Sequence, residues 1–200
     1  MTGANTPSGF LAYYATQSIE AVFEEASWTY SAPTGYLALS SNNIPDDDVI
    51  LNSPDLVWIK NRDSALSHTL FDTTRGVTKY IESDTTDLEA TDVNSLQEFN
   101  KSGFRLGSSA AVNTLNDNYV AWCWKKGITQ GFDIVQYSGT GVAQNISHSL
   151  GVVPSMIIVK AKDNAASDWI VYHKDTDATA PENKYLELNT ANAVADNTYF

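Results

Sequence analysis

The sequence predicts an all-β protein built of tandem antiparallel β-sandwich modules, and three observations predict it. First, the chain repeats itself at a spacing of about one hundred residues. PDLVWIKNRDSALSHTLFDT from Pro54 and PSMIIVKAKDNAASDWIVYH from Pro154 match Pro54/Pro154, Lys60/Lys160, Asp63/Asp163, Ala65/Ala165 and Ser67/Ser167. KYIESDT from Lys79 is answered by KYLELNT from Lys184. Second, short segments rich in Val, Ile, Trp, Tyr and Phe recur along the chain, the composition of strands that pack on a pleated surface. Third, clusters such as TLNDN (from Thr114) and SGTG (from Ser138) lie between them and supply turn chemistry.

Taken in order, the first element is the least settled. In Ser18–Ala26, Ile19, Val22, Phe23 and Ala26 form a helical stripe, while Ile19, Ala21 and Phe23 also alternate as in a strand. The predicted strands are Leu56–Lys60, Thr69–Asp72, Thr78–Glu82, Gly103–Leu106, Asn118–Lys125, Phe132–Tyr137, Met156–Lys160, Trp169–Tyr172 and Lys184–Leu188. LVWI and MIIV do not alternate, which predicts burial on both faces. Lys126–Gln130 is the expected junction between the copies. The domain organisation is therefore an N-terminal piece over 1–45, a first module over 46–127 and a second over 128–200. From KY, the first copy runs on to Lys126 and the second only to Phe200. The second thus lacks an equivalent of GFRLGSS and YVAWCWK, unless DNTYF is a shortened DNYVAW; loss is the expectation, as if the chain were cut from a longer one.

Composition narrows the function. With 24 acidic and 12 basic side chains the net charge is −12, a potential that repels phosphate, so nucleic acid and anionic membrane are poor partners. No apolar stretch approaches the ~20 residues that span a bilayer. The N-terminus has neither the basic start nor the apolar run of a signal peptide. Cys123 is the single cysteine, so no intrachain disulfide and no cysteine zinc cluster can form.

The strings SPDLVWIKNRDSALSHTLFDTTRGVTKYI, EATDVNSL and GFRLGSSAAVNTLNDNYVAWCWK resemble a module that recurs in tailed-bacteriophage virion proteins, often marine ones. GFDIVQYSGTG, ISHSLGVVPSMIIVKAKDNAASDWIVYH and NKYLELNT are similar to its sister version. WTYSAPTGYLALSSNNIP resembles the segment that joins a preceding SPRY-like (concanavalin-type) sandwich to the first module, and AYYATQSIEAVF falls where that sandwich's last strand would lie. The pattern departs from the family's in its shortened approach to Pro54 and its missing C-terminal strands. The resemblance implies lectin-like β-sandwiches in a non-enzymatic structural or adhesive virion component: a tail fibre, tail tip or capsid decoration. It implies a place in the virion, assembled in the bacterial cytoplasm, with other virion proteins or further copies of the chain as partners, and host surface glycan as a further candidate. Two rivals are a host-polysaccharide-binding module and, less favoured, a polysaccharide-degrading tailspike enzyme.

The residues themselves assign no catalytic, ligand-binding or metal site, and imply no cofactor. Glycoside hydrolysis needs two carboxylates ~5–9 Å apart; Asp72, Glu82, Glu89 and Asp168 are the candidates, with turn caps and solvated side chains as the plainer reading. His68, His148 and His173 lack metal-ligand spacing. His148, in ISHSLG, is expected to take part in a turn hydrogen bond. In YVAWCWK, Cys123 shares a face with Tyr119 and Ala121 and is expected to be a buried, inert thiol. A sugar-binding platform would need an exposed aromatic ring. Trp58, Trp122 and Trp124 are expected in the core and Trp28 in the joining segment. Trp169 is the best platform candidate, with core packing favoured over it. Asp46–Asp48 and Asp175–Asn183 carry oxygen ligands for calcium without the D-x-[DN]-x-[DN]-G pattern.

Overall fold

The computed structural model describes residues 53–101 and 103–196, with the backbone alone for Leu11–Thr16. The fold is all-β with antiparallel pairing throughout, the class the repeat and the strand composition predict. Strands are β1 (Leu11–Thr16), β2 (Leu56–Asn61), β3 (Thr69–Asp72), β4 (Lys79–Glu82), β5 (Ala90–Thr91), β6 (Leu96–Asn100), β7 (Gly103–Leu106) and β8 (Asn118–Trp124). After these come β9 (Met156–Val159), β10 (Ile170–His173), β11 (Lys184–Glu187) and β12 (Ala195–Asp196), with one short α-helix, α1 (Ala110–Asn113), before β8. Among the described residues they form a six-stranded sheet β1-β8-β2-β3-β4-β5, a four-stranded sheet β12-β11-β10-β9 and the hairpin β6-β7.

The first unit has two layers. Val57, Ile59, Phe71, Tyr119, Ala121 and Cys123 project from the inner face of the large sheet onto Leu96 of β6 and Val112 of α1. Period-two alternation puts these side chains on one face. Tyr119 ties the layers together: its hydroxyl donates to the Ala110 carbonyl (3.0 Å) and accepts from the Thr114 amide (2.9 Å) and Asn61 Nδ2 (3.1 Å). Asn61 is fully buried, and its Oδ1 accepts from the Asp63 and Ser64 amides at 2.8 Å, so its polar atoms are satisfied. Gly107 is needed where the β7 end passes the 94–95 turn, because a Cβ there would lie 2.4 Å from the Asn94 carbonyl oxygen.

The second sheet repeats half of this unit. The β2–β3 register Leu56↔Asp72 and Trp58↔Leu70 is matched by Met156↔His173 and Ile158↔Val171. The pairs Lys79↔Thr91 and Tyr80↔Ala90 are matched by Lys184↔Asp196 and Tyr185↔Ala195. Strands β9 to β12 are thus the counterparts of β2 to β5. Ala195–Asp196 answers Ala90–Thr91, and the rest of DNTYF, residues 197–200, lies outside the described residues. The register also shifts the repeat by one residue after the first strand. His68 is therefore the counterpart of Trp169 and not of Asp168, and the Ser67/Ser167 identity does not mark equivalent positions.

Several expectations are corrected. Burial alternates along β2 (Val57, Ile59 and Asn61 buried, the others half-buried) and β9 is exposed at Met156 and Ile158, so neither apolar run is buried on both faces. On β2 the second face, Leu56 and Trp58, is only half-buried against the cluster around Trp169, and on β9 Met156 and Ile158 lie open; composition alone does not separate these cases from a fully buried strand. Phe132–Tyr137 is no strand; only an isolated bridge, Gly127↔Phe132, closes the turn at the expected junction. Strands β5, β6 and β12 and helix α1 are additions to the expected elements. Ser18–Ala26, Trp28 and Asp46–Asp48 lie outside the described residues.

Candidate functional site

The repeated geometry extends to individual hydrogen bonds. Thr73 N donates to Asp55 O as Lys174 N does to Ser155 O, both at 2.9 Å. The His68 amide donates to Asp84 Oδ1 at 2.9 Å, and the Trp169 amide to Asn189 Oδ1 at 2.8 Å. Lys60 Nζ donates to the Leu66 carbonyl and Lys160 Nζ to the Ser167 carbonyl, both at 2.7 Å. His68 and Trp169 therefore occupy the same place in the two units, and they use it differently.

In the first unit His68 turns inward on its own sheet. Its Nδ1 accepts from the indole Nε1 of Trp58 at 3.2 Å, with the rings edge-on at 6.0 Å. Burial pushes the His68 imidazole below its ordinary range, opposed by Asp84. In the second unit Trp169 reaches across to the first. It is 5% exposed and packs with Leu70 and Ile81, flanked by Leu56 and Trp58. Its Nε1 donates to the Glu82 carbonyl oxygen at 2.9 Å. Trp169, the best candidate for an exposed platform, is thus a buried wedge between the units, the core-packing alternative.

Charged groups close the same junction. The Glu89 amide donates to the Lys162 carbonyl at 2.8 Å. The Glu89 carboxylate lies 3.9 Å from Lys162 Nζ, 3.7 Å from Lys79 Nζ and 3.8 Å from Arg75 Nη1. Arg75 is itself buried: Nε pairs with the Asp72 carboxylate and Nη2 donates to the Leu70 carbonyl at 2.9 Å. Lys160 Nζ adds a bond to the Thr86 carbonyl at 3.0 Å, and burial lowers its pKa against the pull of Asp168 and Asp87.

The four candidate carboxylates separate by role. Asp72 and Glu89 converge on Arg75, a cation between them. Asp168 accepts from Asn189 Nδ2 at 2.8 Å. Burial, reinforced by Asp84, raises the Glu82 carboxyl above its ordinary range, while Ser67 pulls it back. His148 Nδ1 accepts from the Leu150 amide at 3.2 Å, the turn bond expected of it, and His173 Nδ1 does the same for the Asp175 amide. Asp177 in the Asp175–Asn183 loop is held down to about 2 by the Thr179 and Ala180 amides. No group of three or more His, Cys, Asp or Glu among the described residues could hold a metal ion. Cys123 is buried with its thiol pushed up to about 12, as an inert core thiol should be.

A second feature lies on the outer face of the large sheet. Trp58 sits 6.0 Å from Trp122 and 6.2 Å from Trp124, and Trp124 sits 6.3 Å from Phe132. All four rings are half-buried. The core positions expected for Trp122 and Trp124 are thus corrected: alternation along β8 gives the inner face to Tyr119, Ala121 and Cys123 instead, while Trp58 packs against the second cluster of Leu70, Ile81 and Trp169. Sequence reasoning missed Arg75, Lys79 and Lys162 as junction residues. Of the three, Lys79 alone stood in a repeated block (KYIESDT answered by KYLELNT), and a repeated lysine does not tell a docked side chain from a solvated one.

Two repeated antiparallel units wedged together by a buried tryptophan define a tandem all-β repeat protein. The chain belongs to the family described as Domain of unknown function (DUF7483), whose model matches residues 47–200 and so spans both units. No curated protein and no solved structure matches it. No helix among the described residues is long and apolar enough to cross a membrane.

Proposed function

We propose that this protein is a non-enzymatic structural and adhesive component of a phage virion, a tail fibre, tail tip or capsid decoration, in which the two units act as one fixed block. The observation that carries the reading is the Trp169 wedge. A repeat unit spends its large aromatic residue on fixing its neighbour, and the two candidate carboxylates that meet do so on Arg75, with Lys79 and Lys162 also beside Glu89. The sequence resemblance to virion modules supplies the setting. Such a block presents its surfaces in a set geometry, and assembly with other virion proteins or further copies turns weak contacts into avidity. The test is pull-down of the purified protein on virion proteins and on intact host cells, with its mass measured in solution. A protein that stays monomeric and binds neither contradicts the proposal.

The half-exposed row Trp58–Trp122–Trp124–Phe132 favours a second reading, recognition of host polysaccharide. Aromatic rings offer a sugar's apolar face a large contact at little entropic cost. Binding to isolated surface glycan that free sugar competes away, and that Trp122→Ala abolishes, would support it. Glycan binding unchanged in Trp122→Ala would reject this face as the site.

A further inference from the structure

We propose that His68 is a proton-operated latch on the junction between the units: its protonation weakens the Trp169 wedge that fixes the second unit to the first. The latch presupposes the fixed block proposed above and adds a control to it, pH. Trp58, Leu70 and Ile81 lie side by side across β2, β3 and β4, in the register Trp58↔Leu70 and Leu70↔Ile81. Trp169 is buried against this row. His68 holds row and wedge from two directions. Its ring Nδ1 accepts from Trp58 Nε1 at 3.2 Å, at one end of the row. Its carbonyl accepts from the Ser83 amide at 3.1 Å, and the carbonyl of the same Glu82–Ser83 peptide accepts from Trp169 Nε1 at 2.9 Å.

This arrangement requires a neutral imidazole. A ring nitrogen that accepts from an indole carries no hydrogen, whereas the protonated ring carries one on each nitrogen. Two N–H groups then face each other, and one ring has to turn away. A turn of His68 leaves Trp58 Nε1 without this acceptor; a turn of Trp58 withdraws one end of the row on which Trp169 is packed.

The charged groups around this point are Lys60 on β2, Glu82 and Asp84 at the end of β4 with Asp87 beyond them, and Lys160 and Asp168 of the second unit. Burial is the largest influence on His68 and, with Lys60, opposes protonation, while Asp84 favours it; the latched ring takes its proton below 6.5. A ring released to water protonates at the ordinary value, so falling pH favours release between 6.5 and the lower latched value. Glu82 works the other way: its carboxyl is raised mainly by burial, so acid favours the state that buries it. Lys160, lowered chiefly by burial, loses its charge as pH rises and adds nothing on acidification. The sign of an acid release therefore belongs to His68.

The test uses the full chain and reads hydrogen exchange of the Trp58 and Trp169 indole N–H groups by NMR from about pH 7.5 to about pH 5, each rate divided by that of N-acetyltryptophanamide at the same pH. The expected result is a loss of protection at both indoles that follows the His68 titration, by up to about tenfold per pH unit, the limit for one proton. The Val57 and Ile59 amides should stay protected. His68→Gln keeps an acceptor without a titration in this range and should hold its protection throughout. Asp84→Asn removes a charge that favours the protonated ring and should move the loss to lower pH. Protection unchanged with pH, in a chain whose spin labels at Leu115→Cys and Val194→Cys give a narrow distance at neutral pH, overturns the latch and leaves the block standing. A broad distance already at neutral pH overturns the block, and the latch with it. Loss of protection that persists in His68→Gln overturns the latch, since another group would then titrate. So does loss that reaches Val57 and Ile59 at the same pH, since the whole unit would then unfold.

Discussion

Trp169 Nε1 and the Glu82 carbonyl oxygen, 87 residues apart in sequence, are joined by a 2.9 Å hydrogen bond across the two repeat units. The ring that makes it is buried against Leu70 and Ile81, so one side chain supplies both apolar contact and a directional bond. Truncating it should be costly. Trp169→Ala is expected to lose ~3–5 kcal/mol, and Trp169→Phe should keep much of the packing yet lose ~1 kcal/mol for the missing bond. Urea denaturation of the three proteins checks the order.

Glu89 is surrounded by Arg75, Lys79 and Lys162, with its side chain 13% exposed. Removing its charge leaves the buried Arg75 with Asp72 alone, so Glu89→Gln should destabilise by ~2–3 kcal/mol. Removing the more exposed Lys162 by Lys162→Met should cost less than ~1 kcal/mol. Thermal melts of both variants should show this asymmetry; equal losses would contradict it.

His68 gives a pH dependence with a definite sign. Its folded pKa lies below its ordinary value of 6.5, chiefly through burial, and Nδ1 must be unprotonated to accept from Trp58. The unfolded chain therefore takes up the proton first as pH falls. This contribution is fully present above pH 6.5 and is lost between there and the lower folded value. Melting temperature should fall across that window in the native protein and fall less in His68→Gln.

Cys123, with its thiol pushed up to about 12 by burial, should resist alkylation at neutral pH in the folded chain. Labelling by iodoacetamide should follow unfolding by urea and not precede it.

Thr78 holds φ at +66°, a strained conformation for a β-branched residue, fixed by its amide on the Leu96 carbonyl and its own carbonyl on the Asp92 amide. Thr78→Gly should relieve ~1 kcal/mol and raise the melting temperature. A lower melting temperature would show that the threonine side chain contributes more than its backbone costs.

Much of the fold was legible because its strands announce themselves locally. Val57, Ile59, Phe71 and the β8 aromatics are strand formers bounded by turn residues, and their copies repeat them. Strands β5 and β12 are two residues long and carry no pattern, and β6 (LQEFN) is too polar to stand out before its hairpin partner is known. Phe132–Tyr137 shows the converse: strand-forming residues with no neighbouring strand to pair with beyond Phe132 among the described residues. The junction was hidden by one residue. Matching Ser67 with Ser167 set His68 against Asp168, while the hydrogen-bonded register sets it against Trp169, which exchanges an intraunit contact for an interunit one. A tertiary contact between repeats leaves no periodic trace in either.

The central claim is that the two units form one fixed block. It is tested most directly by spin labels at Leu115→Cys and Val194→Cys, both exposed positions in separate units, with buried Cys123 left unlabelled. Double electron–electron resonance should give a single narrow distance in the native background and a broad distribution once Trp169→Ala is added. A broad distribution already present with Trp169 intact would contradict the account.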